Sequence, residues 1–232
     1  MRYRELSSAE IIGTIEALER RVGERFPDSG LRRLCQELGL VARDAQRRAE
    51  AIAQPNRALR VGVAILITLI LAIVIAALAS LRLPTTVNDF GSLAQGLDAG
   101  INDVIFLGVA IFFLVSLERR IKRRRALKAL RELRSLAHIV DMHQLTKGPE
   151  RAHTHASDGD TASSPVRSLT PFELGRYLDY CSEFLSLVSK IAALYVQRFD
   201  DEVVLGAVNE VESLTSGLSR KIWQKIMILE TD

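Results

Sequence analysis

The sequence predicts an all-α integral membrane protein: a two-span transmembrane hairpin with a cytosolic helical bundle that ends in a coiled-coil-like C-terminal hairpin. Three observations lead there. Residues 61–81, VGVAILITLILAIVIAALASL, carry no charge and only two side chains with a hydrogen-bonding group, Thr68 and Ser80. Elsewhere apolar residues recur at steps of three and four, the repeat of an amphipathic helix. Basic residues collect on the two outer flanks of the apolar region and are almost missing between them. Composition narrows the class. With 14 glycines, 6 prolines and 48% hydrophobic residues the chain is neither collagen-like nor wholly disordered, and 2 cysteines exclude a disulfide-stapled mini-protein.

In the N-terminal region, 1–58, Ser7-Ser8-Ala9-Glu10 has a capping-box pattern. Ile11, Ile15, Leu18, Val22 and Phe26 then mark one helix face, which Pro27-Asp28-Ser29-Gly30 ends. A second amphipathic helix is expected from about Leu31 to Ile52, with Leu34, Leu38, Val41, Ala45 and Ala49 inward. Two such short helices bury little alone and need the C-terminal region or another chain. Pro55 suits the first turn of the next helix.

The first span is assigned to 59–82; about twenty residues at about 1.5 Å rise cover the ~30 Å hydrocarbon core of a bilayer. It is not read as a cleavable signal, because the charge-rich region before it lacks a short basic start. A loop at 83–100 follows, too short for a folded outer domain. Phe90, Leu93, Leu97, Ile101 and Val104 make it an amphipathic lead into the second span, 101–118. That span is short, since Asn102 and Asp103 leave only Val104–Leu117 uniformly apolar, and a re-entrant segment is the competing reading. Charge decides for a span. Arg43, Arg47, Arg48, Arg57 and Arg60 precede the first span, and Arg119, Arg120, Lys122, Arg123, Arg124, Arg125, Lys128 and Arg131 follow the second. Between them Arg82 stands against Asp89, Asp98 and Asp103. The positive-inside rule then puts both termini in the cytoplasm. An Arg-rich chain without a targeting segment fits a bacterial inner membrane.

Residues 119–147 extend the second span as one helix into the cytosol, since 109–147 holds neither Pro nor Gly. The stretch 148–169, GPERAHTHASDGDTASSPVRSL, reads as a flexible linker. In 170–232, Thr170-Pro171-Phe172-Glu173 starts a helix strongly. Leu174, Leu178, Cys181, Leu185, Val188, Ala192, Tyr195 and Phe199 form a heptad seam. Its phase breaks at Asp200-Asp201-Glu202, an acidic cluster suited to a helix N-terminus. A second helix carries Val204, Val208, Val211, Leu218 and Ile222. An antiparallel hairpin is the simplest arrangement and a continuous helix with a stutter the other. The end, SRKIWQKIMILE, suits either core packing or a membrane-surface helix.

Few residues point to chemistry. His138 and Asp141, three apart, share a helix face and are the best metal ligands on offer, with His153 and His155 as a supplement. No zinc spacing accompanies them, and a hydrogen-bonded helix end is the plainer reading. Asp103, with Asn102, lies at the edge of a span: topogenic, or a carboxylate ring around an oligomeric cation pore. Arg119, Arg120, Lys122, Arg123, Arg124 and Arg125 suit anionic lipid headgroups; without interleaved aromatic residues they do not suit nucleic acid. Cys35 and Cys181 sit on apolar faces and read as buried thiols. Nucleotide-binding, hydrolase and cofactor motifs are missing, so neither an enzyme nor a cofactor is expected. The expected function is a self-associating, membrane-anchored scaffold or adaptor working through its cytosolic helices. The expected partners are the lipid bilayer, further copies of the chain, and another membrane or cytosolic protein. The alternatives are an oligomeric two-span channel subunit and a metal- or ligand-sensing membrane protein.

Overall fold

The Ser7 hydroxyl accepts from the Glu10 amide at 3.3 Å and so starts the first helix, α1, Ser8–Arg25. The computed structural model describes residues 5–80, 90–145, 147–148 and 169–231, with backbone alone for 77–80, 90–103 and 231. Five further helices follow among the described residues: α2 Gly30–Ala53, α3 Arg57–Ser80, α4 Phe90–Leu145, α5 Pro171–Ala193 and α6 Glu202–Thr231. None of these residues is in a strand.

Local chemistry sets the boundaries. Ser29 caps α2 by accepting from the Arg32 amide at 3.2 Å. Asn56 caps α3, its Oδ1 accepting from the Leu59 amide at 3.1 Å, so Pro55 lies just before the cap rather than in the first turn. Thr170 and Glu173 form a complete capping box at the start of α5. The seam expected to run to Phe199 is helical only to Ala193; Leu194–Arg198 form turns before α6 begins at Glu202. The C-terminal region is thus two helices packed on each other, not one continuous helix.

The chain divides into two compact units, Met1–Ala53 with Arg123–Asp232, and Gln54–Lys122. The first is a bundle to which α1, α2, the end of α4, α5 and α6 all contribute one hydrophobic core. Ile15, Leu18 and Val22 of α1 meet Leu31 and Leu38 of α2, Leu133 and Val140 of α4, Phe184 and Leu185 of α5 and Ile222 of α6 in this core. Burying each of these side chains contributes roughly 1.5–3 kcal/mol. Alanines at 126, 129 and 137 keep the packed face of α4 low, which lets neighbouring helices approach closely. Ion pairs tie the helices at the rim: Arg21 of α1 grips Glu183 of α5 with both nitrogens, and Arg48 of α2 reaches Glu132 of α4 at 2.8 Å.

The second unit holds α3 and the first part of α4. One stretch among the described residues, within Gly30–Ala76 and falling in α3, is long and apolar enough to cross a membrane, and none of it is buried. The Thr68 hydroxyl donates to the Ala64 carbonyl at 2.9 Å, which satisfies the polar group within the helix. On α4, Val104, Ile105, Phe106, Val109, Phe112, Phe113 and Val115 are likewise exposed.

Candidate functional site at the base of the apolar helices

Glu118 joins the start of the apolar stretch of α3 to the end of that of α4. Its carboxylate accepts from the Arg60 Nε at 2.7 Å, the Asn56 amide at 3.0 Å and the Lys122 Nζ at 2.9 Å. Lys122 also donates to the Gln54 carbonyl at 2.7 Å. One carboxylate on α4 thus holds the N-terminal turn of α3, where free amides and positive dipole favour an anion. The neighbouring cations complete the neutralisation.

The six basic residues read as headgroup ligands fall into different groups. Arg119, Arg120, Arg124 and Arg125 are exposed, and Arg120 lies over the Phe113 ring, 4.7 Å from its centroid. Lys122 is held by Glu118 and Gln54. Arg123 turns into the bundle, where its Nε and Nη2 meet both oxygens of Asp201 at 2.8–3.0 Å. Asp201 is fully buried and also accepts from the amides of Val203 and Val204, so it caps α6 and fastens it to α4. Lys122 and Arg123 are therefore engaged by partners within the protein; sequence position could not reveal this, because the rotation of α4 decides which of the six turns inward.

His138 is exposed, and Asp141 takes its hydrogen bond from the Gln144 amide at 2.7 Å rather than from His138. Gln144 is buried and accepts twice from the Lys225 ammonium, at 2.9 and 3.0 Å. Among the described residues no group of three His, Cys, Asp or Glu side chains is placed to hold a metal ion. His153, His155 and the linker around them lie outside the described residues, as do the side chains of Asn102 and Asp103. Both thiols are free and fully buried, and burial pushes Cys35 and Cys181 up to about 12. Such thiols are poor nucleophiles at neutral pH.

Two features escape sequence reading. In SRKIWQKIMILE, Ile222 and Ile226 enter the core while Trp223 and Ile228 stay exposed, so the apolar residues of this segment divide between core and surface. An open groove of about 790 Å³ between α1 and α5 is bordered by Glu10, Thr14, Glu183, Ser186, Lys190 and Arg198. It assembles from residues far apart in sequence and has no local signature. Comparison with known protein families, with curated proteins and with solved structures finds no match.

Proposed function

We propose that the chain is a two-span integral membrane protein with both termini in the cytosol, a non-catalytic scaffold or adaptor that anchors a self-contained helical bundle at the membrane. One observation carries the reading. α1 and α2, which precede α3, share a single core with α5, α6 and the end of α4, which follow it. The two halves belong on one side of any membrane that α3 crosses, so the chain has to cross back before Arg123. The exposed apolar run of α4, ending at Leu117, is the stretch available for the return. Glu118, bonded to Arg60 and Asn56, supports a side-by-side pair of helices entering at one level. The arginines flanking both helices favour the cytosolic side.

The heptad seam is not the surface for self-association. Leu174, Leu178, Cys181, Leu185, Val188, Ala192 and Tyr195 are all buried in the chain's own bundle. Copies instead meet through the apolar helices, where Gly62, Ala64 and Ala72 of α3 are exposed and small enough for close helix contact.

Single cysteines placed at exposed Glu37 and exposed Ser216 test the topology, since the native thiols are buried. Both Glu37→Cys and Ser216→Cys are expected to react with an impermeant maleimide in inverted vesicles and not in intact cells. Labelling from opposite faces overturns the reading. Native mass spectrometry in nanodiscs then counts subunits: a dimer fits the scaffold, a closed ring of four or more the channel subunit, and a monomer an adaptor for a different protein. Metal analysis of wild type and His138→Ala tests the sensing alternative.

A further inference from the structure

One face of α4 changes character within two turns. Phe106, Val109 and Phe113 are 70%, 62% and 48% exposed, and Arg120 and Arg124 continue the same face. At 3.6 residues per turn these five positions lie within roughly 60° of one another. The face is apolar at Phe106, Val109 and Phe113 and cationic at Arg120 and Arg124, and the two parts touch where the Arg120 guanidinium covers the Phe113 ring at 4.7 Å. Lys122, on the opposite side of the helix, is engaged by Glu118, and Arg123, beside the stripe, by Asp201.

We propose that this stripe is a binding site for an anionic phospholipid, with acyl chains along Phe106, Val109 and Phe113 and the phosphate at Arg120, supported by Arg124 one turn on. The proposal rests on the membrane reading above. The order of the stripe identifies the occupant. A nucleic acid or an acidic protein segment has no use for three exposed apolar side chains in line with the arginines. A zwitterionic lipid brings no net charge to them. An amphiphile with a negative head matches both halves, and guanidinium groups hold phosphate oxygens bidentately.

The test uses purified full-length protein and native mass spectrometry with phosphatidylglycerol and phosphatidylcholine of matched chains in competition. A basic residue near an anionic surface favours binding by about fivefold, so two favour the anionic lipid by about 25-fold. Arg120→Gln with Arg124→Gln is expected to bring retention of the two lipids to within about twofold of each other, while Arg120→Lys with Arg124→Lys, which keeps the charge and loses the bidentate fork, keeps only part of the preference. Arg20→Gln with Arg33→Gln, which removes the same charge from exposed positions on the bundle, is expected to leave it unchanged. Circular dichroism shows whether each variant stays folded, and the lysine pair keeps the comparison valid if the glutamine pair does not. Equal retention by the wild type, an intact preference in the glutamine variant, or the same loss in the bundle control overturns the site. Alkaline extraction of native membranes separates this from the parent reading: a protein that washes off removes both, and one that stays embedded without lipid preference removes the site alone.

Discussion

At Gly30 the imidazole of His143 lies where a side chain would begin: a Cβ there runs into Cε1 and meets the two ring nitrogens at 3.0 and 3.1 Å. Gly30→Ala is therefore expected to lower stability by about 1 kcal/mol through displacement of the ring. In a His143→Ala background the same change is expected to stabilise by about 0.4–1 kcal/mol, because alanine restricts the unfolded chain and the ring that met its Cβ is gone. Thermal unfolding of the four proteins followed by circular dichroism reads the sign reversal; a loss in both backgrounds sinks the explanation. The sequence marks Gly30 only as part of a helix break, since nothing local announces a histidine from α4. Cys35 and Cys181 were more legible, because their apolar faces already indicate burial. Their folded pKa values, about 12, lie above the ordinary thiol value of 9.0, so the folded state keeps these protons longer than the unfolded one. Their contribution to stability is whole below about pH 9 and falls between about pH 9 and 12, by about 1.4 kcal/mol per pH unit for each thiol. Tyr195, pushed up to about 12 by burial, adds to the fall in its upper part. Urea midpoints measured from pH 8 to 11 are expected to drop less steeply in Cys181→Ala than in the wild type; parallel curves refute the assignment.

Helix α6 begins on a single buried carboxylate. Asp201 accepts from two of its free amides and from the guanidinium of Arg123, and its side chain is 0% exposed while that of Arg123 is 37%. Removing either partner of a buried pair costs about 3–5 kcal/mol, and the exposure of Arg123 puts this pair at the lower end. Asp201→Ala loses the cap as well, worth about 1 kcal/mol. The expected order of stability is wild type, then Asp201→Asn, which can still cap, then Asp201→Ala. Arg123→Gln is expected to fall below the wild type by about 3 kcal/mol, whereas Arg124→Gln, one residue on and exposed, stays within about 0.5 kcal/mol. Chemical unfolding reads all four, and equal effects at 123 and 124 remove the distinction between packing and surface arginines. The acidic cluster at 200–202 is visible in sequence as a helix start. Which acid caps, and which of six neighbouring cations answers it, depends on how α4 is turned about its axis, and a run of like residues carries no record of that.

For the whole molecule, periodicity indicates a buried face on each helix of the bundle but not what covers it. Val204, Val208, Val211, Leu218 and Ile222 were legible as inward, and all are buried. The seam of α5 had the spacing of a coiled coil, and a partner chain was its natural cover. In the structure its cover is the chain itself, with α1, α2 and α6 packed on α5. Such long-range pairing leaves little local trace, yet it bears most on topology, because it joins residues before α3 to residues after the apolar part of α4. It also separates folding from assembly. Leu185 is fully buried in the seam, and Leu185→Ala is expected to cost about 2–5 kcal/mol and lower the melting temperature. In nanodiscs at low temperature, where the weakened bundle remains folded, its subunit number is expected to equal that of the wild type. Gly62→Leu, on the exposed face of α3, is expected to do the reverse, leaving the bundle's melting intact and reducing the subunit number. If Leu185→Ala dissociates the assembly without lowering the melting temperature, the seam joins copies after all, and the core shared by the two halves of the chain is then formed between neighbours.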